Sequence, residues 1–373
     1  MSARVLVVTG TRAEFGLLEP VMRAIDAHEE LDLRVAAGGS HLLPPARTID
    51  VVRERVRVDA VLEMQSAGEV GRLADARALG RGVSGFAEAI GGLDPHWLVV
   101  LGDRIEAFAA AAAASVAGVP VAHLHGGDRA EGVADEAMRH AISKLAHLHL
   151  PATEESAERL VRMGEDDALV RVIGSTAIDA LASVAPMDDS AFEACGSPDT
   201  LFLMHPVGRD DEEERAAAGG VLGALNGRRV LALHPNHDPG RAGIVAAIRD
   251  SGVLASPHME RPAFLSLLAR LARGGGVIVG NSSAGLIECA ALRLPAVSVG
   301  RRQGGREAPD NVFACEERSD AVRGAVAGAL AADRDALTHP YGDGKAGERA
   351  AAAIAAVQRT HPRAALLRKR NSY

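Results

Sequence analysis

The stretch that most constrains this chain runs from Gly276 to Arg306 and reads GVIVGNSSAGLIECAALRLPAVSVGRRQGGR. Val277, Ile278 and Val279 make a short apolar run suited to a buried parallel strand, and Gly280-Asn281-Ser282-Ser283 turns it into Ala284 to Leu292, whose composition is helical. After Arg293-Leu294-Pro295, Ala296 to Val299 reads as a second strand. Two parallel strands joined through a helix make a right-handed βαβ unit. A ligand is expected at its first turn. The free N–H groups and the dipole of a helix opening at Ser282 and Ser283 suit a phosphate, and both hydroxyls add hydrogen bonds. Asn281 or Ser282 would equally serve as an ordinary helix cap. Glu288, further along the helix, is spaced to grip two neighbouring hydroxyls such as those of a ribose. Arg301, Arg302 and Arg306 follow the second strand in a glycine-rich loop that suits an anion.

A chain of 373 residues is too long for one ordinary α/β core and predicts two domains. Apolar residues make up 47% of it but aromatics only 3%, so the core is built from Ala, Val and Leu, as in parallel sheets covered by helices. The net charge of −8 argues against nucleic acid as a partner and leaves a local anion site. Cys195, Cys289 and Cys315 are far apart with no CxxC pair, which fits a reducing compartment without structural zinc. No apolar run reaches the roughly 20 residues needed to span a bilayer, and a strand begins almost at once. A cytoplasmic protein without membrane partners is expected.

In the first half, Val5 to Val8 reads as a strand, Thr9-Gly10-Thr11-Arg12 as a turn and Ala13 to His28 as a helix with Phe15, Leu18, Met22 and Ile25 in period. The turn lacks both the G-x-G-x-x-G and the P-loop spacing, so no nucleotide cofactor is expected. Arg12 is an anion ligand candidate. Leu33 to Ala37 is the next strand, and His41 follows it as a residue of a site or of a surface loop. Trp97 to Leu101 runs into Gly102-Asp103-Arg104-Ile105-Glu106, which places Asp103, Arg104 and Glu106 beyond a strand's carboxyl end, where open α/β sheets bind ligands. Val119 to Leu124 leads to His125-Gly126-Gly127-Asp128. His123 and His125 lack a third ligand nearby, and no metal is expected. Asp135 and Glu136 lie about one turn from Arg139 and His140, an arrangement that suits a charge-tuned acid or base or an ordinary ion-paired helix face.

Val170 to Thr176 reads as the crossing between domains and Pro186 to Pro198 as a surface linker. Beyond it, Leu201 to Met204 is followed by His205-Pro206 and Val230 to Leu233 by His234-Pro235, so each proline ends a strand and each histidine faces a crevice. His205, His234, Asn236 and Asp238 are site candidates. Past Asp310-Asn311-Val312 the chain reads as alanine-rich helix to its end.

These motifs together resemble the UDP-N-acetylglucosamine 2-epimerase family, and most of all its hydrolysing branch in sialic acid biosynthesis. The resemblance rests on GTRAEFGLL from Gly10, LGDRIEAF from Leu101, HLHGGD from His123 with DEAMRHAISKLAHLHL from Asp135, and GNSSAGLIE from Gly280 with GRRQGGRE from Gly300. It implies an α/β glycosyltransferase-B-type architecture of two Rossmann-like domains, with the active site in the interdomain cleft and usually a homodimer. The domains would be residues 1–172 and 173–351, with a C-terminal helix from about 352 to 373 crossing back. By position, Ser282 and Ser283 would bind the diphosphate, Glu288 the ribose, and Arg12 and Arg302 the phosphates. His205 would stand beside the leaving diphosphate, and Asp103 and Asp135 match the family's acid and base carboxylates.

The resemblance further implies loss of UDP from UDP-N-acetylglucosamine by elimination to a 2-acetamidoglucal, then water addition to give N-acetylmannosamine. The alternatives are a non-hydrolysing epimerase giving UDP-N-acetylmannosamine, the same hydrolysis of a UDP- or GDP-linked diacetamido sugar, and, in a different class, a glycosyltransferase. Two positions depart from many members: His125 stands for a catalytic glutamate and Leu17 for a phosphate-binding lysine, as in some hydrolysing bacterial members. His125 therefore joins the catalytic set. His41, Arg104, Glu106, Arg139, His140 and Asn236 complete the expected substrate contacts, with no cofactor and no metal.

Overall fold

The computed structural model describes residues 2–44, 47–69, 71–129, 135–236, 238–370 and 372. They divide into two compact units, one built from the chain up to Asp179 and again from Gly342, the other from Ala180–Tyr341.

In the first unit six parallel strands, β1 Ala3–Thr9, β2 Leu31–Gly38, β3 Ala60–Leu62, β4 Trp97–Leu101, β5 Val121–Leu124 and β6 Leu148–Leu150, lie in the order β3-β2-β1-β4-β5-β6. Side chains alternate along β1, so Val5 and Val7 enter one core while Leu6 and Val8 enter the other, and every one of them is buried. Both faces must therefore be covered by helices, which explains the uninterrupted apolar runs. The helix Arg12–Asp26 starts where the Thr11 hydroxyl accepts the Glu14 N–H at 3.1 Å, and it buries Phe15, Leu18, Met22 and Ile25. The alanines of helix Ile105–Val116 let it lie close under the other face, beside Phe86. Truncating a buried Trp97 or Phe86 to alanine would cost about 3–5 kcal/mol.

The C-terminal helix Ala346–Thr360 belongs to this unit. Asp179 accepts the free N–H groups of Ala346 and Gly347 at its start, at 2.9 and 2.7 Å. Trp97 donates its indole N–H to Gln358 at 2.8 Å. The short segment Arg363–Leu366 follows.

The second unit repeats the plan with β7 Thr200–Leu203, β8 Val230–Leu233, β9 Leu254–Ser256, β10 Val277–Gly280, β11 Ala296–Val299 and β12 Val312–Cys315, ordered β12-β11-β10-β7-β8-β9 and all parallel. Phe202, Val277, Val279 and Val297 fill one core and Leu201, Leu203, Ile278 and Leu268 the other.

Three expectations are corrected. The helix expected over Ala284 to Leu292 is instead a 3-10 turn, Ser283–Gly285, and a separate short helix, Glu288–Ala291. The Asn311 amide captures the carbonyls of Gly285 and Leu294, both at 2.9 Å, so the Gly285 carbonyl is engaged outside a helical ladder. The linker expected over Pro186 to Pro198 contains helix Asp189–Ala194, because Asp188 caps it through the Ala191 N–H at 2.8 Å and Phe192 packs on the core. The continuous helix expected beyond Asp310 begins with strand β12 and continues as separate helices, Ser319–Ala331 and Ala346–Thr360. Among the described residues, no helix is long and apolar enough to cross a membrane.

Candidate functional site

Of the first unit's candidate residues, Asp103 and His125 lie where β4 and β5 end. Gly102 donates its N–H to the Leu124 carbonyl at 3.0 Å, so Asp103 and His125 leave neighbouring strands side by side. His123 braces this junction, with Nε2 2.8 Å from the Gly102 carbonyl and Nδ1 3.1 Å from the Ser143 hydroxyl. A carbonyl can only accept, so Nε2 carries the proton and Nδ1 receives the Ser143 O–H. Burial pushes the pKa of this imidazole down to about 3, and it stays neutral. Its nitrogens are thus spent on the fold. No group of three metal-ligating side chains occurs among the described residues.

Helix Asp135–Leu145 carries Ser143 at one end and Arg139 nearer the other. Buried Arg139 donates to the Asp103 carboxylate, to Glu136 at 2.5 Å and to the Asp128 carbonyl at 3.1 Å. It therefore fixes Asp103 with a charge-assisted bond rather than standing free for a ligand. His140 lies 3.3 Å from Glu136 through Nε2. Asp135 opens the helix, and its side chain lies outside the described residues.

His125 has a left-handed backbone, φ 59°, which a residue with a side chain adopts only when its surroundings impose it. Here the turn does. Gly127 passes so close to helix Glu154–Arg162 that a Cβ would sit 2.2 Å from the Ser156 carbonyl, and the chain then brings Asp128 back to His125. His125 Nδ1 and Asp128 Oδ2 are 2.9 Å apart, and Ser156 donates its hydroxyl to the other Asp128 oxygen at 2.8 Å.

Two residues expected to contact substrate, His41 and Glu106, are buried and bonded within the fold. His41 is fully enclosed, with Thr9 at 3.0 Å and Thr48 at 2.7 Å on its two nitrogens, and burial lowers its pKa to about 4. Buried Glu106 receives the Gln65 amide at 2.7 Å, and Arg104 lies exposed beside it at 3.4 Å. Arg12 is half-buried as the first residue of helix Arg12–Asp26.

In the second unit Asn281 is the organising residue. Gly280 delivers the chain to it with φ 149°, so close to Leu203 that a Cβ would lie 1.9 Å from its carbonyl. The Asn281 side chain then takes the His205 N–H at 2.7 Å and donates to the His205 carbonyl at 2.8 Å. Its own carbonyl accepts Arg302 at 3.1 Å and Gln303 at 2.7 Å. The Asn236 N–H points at His205 Nδ1 from 3.2 Å, which leaves the proton on Nε2. Burial, with Arg302 nearby, lowers the His205 pKa to about 4, so at neutral pH it is an uncharged donor. Arg302 is itself lowered, by burial first and Arg306 second, which marks a concentration of positive charge that suits an anion. Ser282 caps the 3-10 turn through the Ala284 N–H at 3.3 Å, and Ser283 begins it. A turn this short has little dipole, so the hydroxyls and the arginine must do most of any phosphate binding. Glu288 is buried against Arg261 at 3.2 Å.

The model of the family described as UDP-N-acetylglucosamine 2-epimerase matches residues 23–355. The chain belongs to this family. Among the curated 2-epimerases, the hydrolyzing UDP-N,N'-diacetylbacillosamine 2-epimerase of Legionella pneumophila is 34% identical, covering 94% of each chain. A UDP-N-acetylglucosamine 2-epimerase of Neisseria meningitidis serogroup B is 32% identical over 81% of each. A solved structure, S. aureus MnaA with UDP, superposes with a TM-score of 0.80 at 17% identity over all of both chains, a likeness of fold. The two sheets are accordingly Rossmann-like units of the glycosyltransferase-B type, as expected.

Three polar residues beside these strand ends, two in the first unit and one in the second, escaped sequence reasoning. Asp128 was legible only as a strand end, although the His-Gly-Gly-Asp spacing permits a tight return of the carboxylate to the imidazole. Gln303 carries no sequence signal. Glu14 lies one helical turn from Gly10, accepts its N–H at 2.6 Å, and has its pKa raised to about 8 by burial.

Proposed function

We propose that this epimerase hydrolyses UDP-N-acetylglucosamine to UDP and N-acetylmannosamine through a 2-acetamidoglucal. The family description over residues 23–355 supports this sugar, and the 34% identical relative, itself named as hydrolyzing and matching 94% of both chains, supports hydrolysis. In the first half-reaction the C2–H bond gives its electron pair to a C1=C2 double bond, and the C1–O bond breaks with its pair on the diphosphate. The leaving group needs donors. The His205 Nε2–H, Arg302, Arg12 and the Ser282 and Ser283 hydroxyls supply them in this reading, and Glu288 takes the ribose. Asp103, Asp135 and His125 form the acid–base set that moves the C2 proton and activates water.

The name of the same relative favours a second reading, in which the sugar is a UDP-linked diacetamido trideoxyhexose. A UDP-release assay without any acceptor sugar separates the readings. Release from UDP-N-acetylglucosamine at a kcat/KM above that for the diacetamido substrate supports the first; the reverse order supports the second. Turnover only with an acceptor would make the protein a glycosyltransferase.

A further inference from the structure

We propose that Asp128 and His125 form a dyad in which the carboxylate fixes the imidazole so that Nε2 takes the C2 proton of the sugar. This rests on the function proposed above. Asp128 Oδ2 lies 2.9 Å from His125 Nδ1, and a carboxylate oxygen accepts, so Nδ1 is the donor of this contact and Nε2 is the ring nitrogen placed to receive a proton. That Nε2 is buried and has no hydrogen-bond partner among the described residues. An unpaired buried nitrogen is costly, and so is the φ of 59° at the same residue. Two costs at one side chain point to a function that needs them.

The rest of the turn serves the same geometry. Ser156 holds the second Asp128 oxygen at 2.8 Å, and Arg139 binds the Asp128 carbonyl at 3.1 Å. Arg139 also occupies an oxygen of Asp103, the carboxylate on the neighbouring strand end, whereas the His125 lone pair remains open. In the step assigned here the C2–H bond breaks, its proton passes to His125 Nε2 and its electron pair forms C1=C2. As that double bond forms, the C1–O bond breaks and its pair passes to the β-phosphate oxygen of UDP. Asp128 does not change its proton count; it is a positioning residue that sets the tautomer.

Two measurements test the dyad. The first is a cycle of Asp128→Asn, His125→Gln and the double variant, assayed as single turnovers, with thermal melts to establish folding. Each single variant is expected to lose roughly 100-fold or more in rate with KM nearly unchanged, and the double variant to be no slower than His125→Gln. Losses that multiply in the double variant, or wild-type rates in His125→Gln, would overturn the proposal. The second reads the wild-type protein without substrate: long-range nitrogen–proton NMR of labelled histidine should show His125 protonated on Nδ1. Protonation on Nε2 would overturn the dyad whatever the variants do. Absence of turnover by the wild type, with Nδ1 protonated, would instead count against the substrate reading alone.

Discussion

Asn281 holds His205 by both polar groups of its backbone, accepting the N–H at 2.7 Å and donating to the carbonyl at 2.8 Å. The clamp depends on an amide, because only an amide offers an acceptor and a donor side by side. Asn281→Asp keeps the acceptor but turns a carboxylate oxygen toward the His205 carbonyl. We expect it to cost about 1–3 kcal/mol of stability, the usual penalty for spoiling a buried hydrogen-bonded pair. Denaturant unfolding gives this value, and a change below a few tenths of a kcal/mol would contradict the clamp.

Asp103→Asn should stop turnover while UDP affinity stays within about tenfold. The amide preserves shape but neither accepts a proton at neutral pH nor pairs ionically with Arg139. Calorimetric titration with UDP, beside a rate assay, checks both halves. A variant that keeps its rate, or one that loses UDP binding altogether, would contradict the assignment.

How far the sequence carried this picture depends on where each signal lives. The central buried strands β1, β4, β7 and β10 were legible because both faces are covered and their apolar runs are unbroken. The edge strands β3 and β9 were not, since Ala60–Leu62 and Leu254–Ser256 are three residues each and carry no such run. Asp103 and His205 could be nominated because each follows a strand end, which is a local fact. The break in the helix after Ser283 could not be foreseen, since Asn311, which captures the Gly285 carbonyl, lies 26 residues away. Likewise His41 gave a site-like signal at a strand end and became a core residue because Thr48, from a different element, closes on it.

Acid should weaken the fold before it protonates most carboxylates. Burial lowers the imidazole pKa from 6.5 to about 4 in His41, His147 and His205 and to about 3 in His123. The unfolded chain takes up these protons below pH 6.5 and the folded chain does not until much lower, so their stability is full above 6.5 and lost as pH falls toward 4. Glu14 has the opposite sign: raised from 4.5 to about 8, it favours the fold at low pH and loses that contribution as pH rises through 8. Between pH 6.5 and 4.5 four histidines outweigh one carboxyl. The melting temperature should drop from pH 7 to pH 5; a constant or rising value would contradict the neutral buried histidines.

The central claim, elimination across C1 and C2 followed by hydration, is tested most directly by proton NMR of UDP-N-acetylglucosamine turnover in deuterium oxide. The account predicts that free UDP and N-acetylmannosamine appear together and that C2 of the product carries deuterium from solvent. Product that keeps its original hydrogen at C2, or UDP-N-acetylmannosamine accumulating without free UDP, would contradict it.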